Sequence, residues 1–63
     1  MPTSVDEVKA LSWDELNLVI AISHASEVRA VVDHGEGRST ALGAQRWEPE
    51  TRAALARALA EVC

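Results

Sequence analysis

Two stretches near the start of the chain, SVDEVKAL at residues 4–11 and SWDELNLV at residues 12–19, follow one pattern. Each opens on serine, places an apolar residue, then Asp-Glu, then an apolar residue again. A serine followed three positions later by glutamate is the sequence form of a capping box, in which the two residues satisfy each other's free amides at a helix start. The paired acids also suit the positive end of the helix dipole. A capping residue needs non-helical backbone, so the second signal predicts a corner. A short first helix carries Val5, Val8 and Leu11 on one face, the chain turns at Ser12, and a new helix begins at Trp13.

That second helix is expected to be long, running from Trp13 to about Asp33, with Gly35 in the left-handed position that often follows a helix. Its β-branched runs also fit a strand, but its length, its cap and the lack of a turn signal before His34 favour helix. Around it, Trp13, Leu16, Ile20 and Val31 form one apolar strip, while Leu18, Ile22, Ala25 and Val32 form another and Val19 lies off both. A helix that is apolar on nearly every side requires cover on several sides.

Residues 35–47, GEGRSTALGAQRW, read as a glycine-containing connection, with room for a short helical turn from Ser39 or Thr40 that buries Leu42. A last helix starts at Pro49, a residue favoured at the first helical position. It carries Leu55, Ala58, Leu59 and Val62 as a narrow stripe among many alanines. The expectation is one all-α domain over residues 1–63, with a short N-terminal helix, a long central helix and a C-terminal helix, completed by oligomerisation.

Size supports the last point. A chain of 63 residues buries little core, and small folds are commonly reinforced by disulfides, a metal or association. Cys63 is the only cysteine, so no internal disulfide forms. His24, His34 and Cys63 have no spacing that builds a metal site, and His24 with Glu27 supplies two ligands at most. Association with another chain remains. The interface expected from the pattern is Trp13, Leu16, Val19, Ile20 and Ile22, and the partner expected is a second copy of the chain.

Charge narrows the function classes. Residues 1–28 hold Asp6, Glu7, Asp14, Glu15 and Glu27 against Lys9 alone, and residues 29–63 balance, so the whole net charge of −4 lies in the first half. That opposes phosphate binding there. A DNA-binding regulator is the alternative reading, using Arg46, Arg52 and Arg57 of the C-terminal half, but the connection before the last helix is long for a helix-turn-helix. GEGRSTALG lacks the Lys-Ser/Thr pair of a phosphate-binding loop, and no strand signal precedes it. No spacing joins a nucleophile to a base, so no enzyme and no cofactor is expected. The longest apolar run, Leu18–Ile22, is far short of the ~20 residues of a membrane span. With no basic segment ahead of an apolar run, no signal peptide is expected either. The resulting expectation is a cytoplasmic, non-enzymatic interaction protein with a regulatory or adaptor role.

Overall fold

The computed structural model describes residues 4–40 and 43–62. It has four helices and one hairpin: α1 (Val5–Lys9), α2 (Trp13–Ile22), α3 (Ser26–His34), β1 (Gly37–Ser39), β2 (Gln45–Trp47) and α4 (Pro49–Val62). The fold is therefore mostly helical with a small antiparallel ribbon, where the sequence pattern predicts helices alone.

The corner forms as the pattern predicts. Ser4 has extended backbone, and its hydroxyl accepts from the Glu7 amide at 3.2 Å. At Ser12 the capping box is complete: the Ser12 hydroxyl accepts from the Glu15 amide, and the Glu15 carboxylate accepts from the Ser12 amide, both at 3.2 Å. Arg52 of α4 braces this corner. Its Nη2 donates to the carbonyls of Lys9 and Leu11, at 2.8 and 2.7 Å, which are acceptors left over at the end of α1. Its guanidinium also lies over the Trp13 ring, 4.3 Å from the centroid.

The long central helix does not form. The chain leaves α2 at Ser23, which has extended backbone and is buried, with its hydroxyl accepting from the Ala25 amide at 3.4 Å. Serine's ability to bond nearby backbone offers an alternative to the helical ladder. Two geometric constraints favour the break. A 21-residue helix would be roughly 30 Å long, the full length of a molecule measuring 30 × 22 × 20 Å. On one straight helix Val28 would also point about 120° away from Leu16, yet both are buried in one core. Breaking at residues 23–25 lets α3 turn Val28 inward. Gly35 likewise departs from expectation: its φ is −78°, so it is not left-handed. Glycine is needed there for close approach, since a Cβ would meet the Thr51 side chain and lie 2.6 Å from the Val31 carbonyl.

The connection after α3 is a hairpin with Arg38 opposite Arg46. The Thr40 amide donates to Ala44 and the Gly43 amide to Thr40, and Gly43 takes the left-handed φ of 84° that closes such a loop. Ser39 lies in β1 and so does not start a helix. The expected burial of Leu42 falls outside the described residues.

The helix at the centre is α4, not α2. Leu55, Ala56, Ala58 and Leu59 of α4 are buried, and α1 and α3 pack mainly on it through Val8 and Val28. Its alanines keep that surface flat enough for both to approach. Each fully buried leucine or valine contributes about 1.5–3 kcal/mol. Leu16 and Ile20 complete the core from α2, whose main neighbour is β2.

Ser12→Ala should lower stability by about 0.5–2 kcal/mol in urea titrations, with Ser12→Asp close to wild type; an unchanged Ala variant would mean the box is not needed for the corner. Arg52→Ala should cost about 1–3 kcal/mol. Arg52→Lys should recover only part of that loss, because an ammonium lacks the planar fork that spans two carbonyls and a ring. A lysine variant as stable as wild type would contradict this role.

Candidate functional site

The sequence names α2 as the contact element, and the structure divides its residues into three groups. Leu16 (0% exposed) and Ile20 (6%) belong to the chain's own core, so neither is surface. Trp13 and Val19 are half-buried against that core. Ile22 is 54% exposed, and Leu18, which the sequence reading left out of the interface, is 63% exposed. The inner strip is thus the one that held Leu16 and Ile20, and the outer strip is the one that held Leu18 and Ile22. Which strip turns inward is decided by contacts with α4 and the hairpin, far away in sequence.

Asn17 fixes that rotation. Its amide nitrogen donates to the Trp13 carbonyl within α2 and to the Gln45 carbonyl of β2, both at 2.7 Å. Its carbonyl oxygen accepts from the Trp47 indole N–H at 3.3 Å. The one polar residue between Glu15 and Ser23 therefore lies under the hairpin. With Asn17 facing β2 and Leu16 and Ile20 facing the core, Leu18, Ala21 and Ile22 stand in solvent. Leu18 and Ile22 are one turn apart and form a continuous apolar contact on the helix surface. Asp14 precedes Leu18 by one further turn and is exposed. The Ser12 backbone N–H, and secondarily its hydroxyl, hold the Glu15 carboxyl below its ordinary value.

The arginines considered for DNA occupy different settings. Arg52 is engaged with the Lys9 and Leu11 carbonyls and the Trp13 ring. Arg57 is exposed on α4. Arg46 is exposed and faces Arg38 across the ribbon. One step along the same ribbon face, Glu36 lies opposite Glu48, whose amide donates to the Glu36 carbonyl at 2.9 Å. Two acids therefore stand beside the two arginines, and the face has no net positive charge.

A shallow depression of about 520 Å³ between the end of α3 and the start of α4 is lined by His34, Glu36, Glu48, Glu50 and Thr51 with Pro49. Among the described residues no three His, Cys, Asp or Glu side chains stand together as metal ligands. Thr51 serves the fold, accepting from the Glu36 amide at 3.3 Å. Among the described residues no helix is long and apolar enough to cross a membrane.

The Asn17 clamp is testable by itself. Asn17→Ala leaves the Gln45 carbonyl and the Trp47 indole N–H without their partner, and should cost about 1–3 kcal/mol. Trp47 emission should shift to the red as the hairpin loosens; a variant with wild-type stability and emission would show that the hairpin is held by something else. Comparison with protein-family models, with curated proteins and with solved structures finds no match for the chain.

Proposed function

We propose that the chain is a non-enzymatic protein–protein interaction module that docks onto another chain through the outer face of α2. The observation that carries this reading is the exposure of Leu18 and Ile22, at 63% and 54%, one turn apart on one helix. Single exposed apolar residues are ordinary on a protein surface. A pair with Ala21 beside it, on a helix whose opposite side is already in the core, is a coherent contact. Val62, the other large apolar side chain described as exposed, lies near the end of α4.

Two occupants fit: a second copy, forming a small homo-oligomer, or a different protein, for which this chain would act as an adaptor or regulatory subunit. Support for a DNA-binding regulator is thinner, because Arg52 already has three partners within the chain and Arg46 shares its face with two glutamates.

The double variant Leu18→Ser, Ile22→Ser tests the face. Both positions are exposed, so each change should alter stability by no more than about 0.5 kcal/mol, and the circular dichroism spectrum should be that of wild type. Sedimentation equilibrium and co-purification from source cells should show an assembly with wild type that the variant loses. Recovery of the same partner, or the same assembled mass, with the folded variant would remove the reading.

A further inference from the structure

We propose that the chain docked on α2 is a cationic amphipathic helix of another protein, not a second copy of this one. The proposal rests on the reading of α2's outer face as a docking surface and names what covers it. The argument is charge complementarity. The apolar pair Leu18 and Ile22 continues at its N-terminal end into Asp14, one turn away on the same stripe, with Glu15 beside it. The Glu15 carboxylate accepts from the Ser12 amide at 3.2 Å, which fixes its position at the start of α2. α2 contains no Lys, Arg or His. The nearest acid or base along the chain beyond its C-terminal end, histidine aside, is Glu27, with Arg29 two positions later on α3.

A second copy meets this surface badly in either orientation. Packed parallel, two α2 helices bring Asp14 and Glu15 of one onto Asp14 and Glu15 of the other. Packed antiparallel, each acidic end lies toward the partner's α3 start, where Glu27 and Arg29 cancel. Neither arrangement supplies the net positive charge that the acidic end calls for, and like charges across an interface act against binding. Across α1, α2 and the start of α3 the exposed acids are Asp6, Glu7, Asp14, Glu15 and Glu27, against Lys9 and Arg29, with the Arg52 guanidinium of α4 over the Trp13 ring, so the surface keeps an acidic excess. That field steers cations toward this half of the molecule. A helix with leucine-like residues at i and i+3 or i+4, and Lys or Arg flanking them, matches both the apolar pair and the acidic end.

The test uses two synthetic amphipathic peptides of equal length, one of Leu and Lys and one of Leu and Glu, labelled for fluorescence anisotropy and titrated with the full chain. Expected is binding of the Leu/Lys peptide only. Leu18→Ser and Asp14→Asn should each weaken it, the former roughly tenfold, while both variants keep the wild-type circular dichroism spectrum. Binding unchanged by Leu18→Ser would overturn the proposal, because attraction to bulk charge would then explain it. Equal binding of the Leu/Glu peptide would overturn the cationic assignment while leaving α2 a docking face. Failure of both peptides would overturn it too. In that case sedimentation of wild type against the Leu18→Ser, Ile22→Ser variant separates the causes: a wild-type dimer that the variant loses makes the occupant a second copy, and monomers throughout remove self-association as well.

Discussion

α1 and α3 are placed by the need to reach one surface of α4, and α2 joins the same core while resting chiefly on β2. Leu55 and Leu59 are one turn apart and fully buried, with Ala56 and Ala58 beside them. No other helix here is long enough to serve as the base: α1 has 5 residues, α2 has 10 and α3 has 9, against 14 in α4. Helices this short have little stability alone, so each must bring its apolar stripe to α4 or to a neighbour already seated there. The turns at Ser12 and at residues 23–25 serve that end, letting Val8, Leu16 with Ile20, and Val28 converge from three directions.

α2 is the element this arrangement covers least. α1 and α3 occupy the sides of α4, and α2 is joined chiefly to the hairpin through Asn17 and Trp47. A helix with apolar residues on several sides then has cover for one side and a polar tether for a second. The remainder is the Leu18–Ile22 strip. The surplus of apolar surface visible in the sequence is real, but smaller than the sequence suggests, since Leu16 and Ile20 are consumed internally. This is also why Val19, half-buried against the core, is a poorer probe of docking than Leu18.

What could be read from the chain was local. Both serine caps, the start of α4 at Pro49 and the inward positions Leu55, Ala58 and Leu59 rest on chemistry within four residues and appear in the structure, whereas Val62, the fourth residue of that stripe, is exposed near the helix end. The break after Ile22 was not legible because no glycine or proline marks it; Ser23 turns the chain only in company with α4, which rewards Val28 for facing inward. The hairpin was missed for a related reason. Three residues per strand are too few to show alternation, and what fastens the ribbon is a bond from Trp47 to a residue 30 positions earlier. One signal was available: Asn17 stands alone as a polar residue in an apolar run, and such a residue commonly has a designated partner. Which face of α2 turns outward was not legible, because the Asn17 clamp that rotates the helix is non-local.

The same clamp divides the molecule into parts of unequal permanence. The helices share a continuous apolar interior, so separating any one of them exposes core. The ribbon meets the rest through the amide of Asn17 and through Trp47, which also packs partly buried against the core, and its β1 residues are all exposed. Local opening follows the weakest attachment, independently of global unfolding. Among the described residues, the amides of the ribbon are therefore expected to exchange before those of the core helices. Such opening also releases the Asn17 side chain, and with it the bonds to Gln45 and Trp47 that set the rotation of α2.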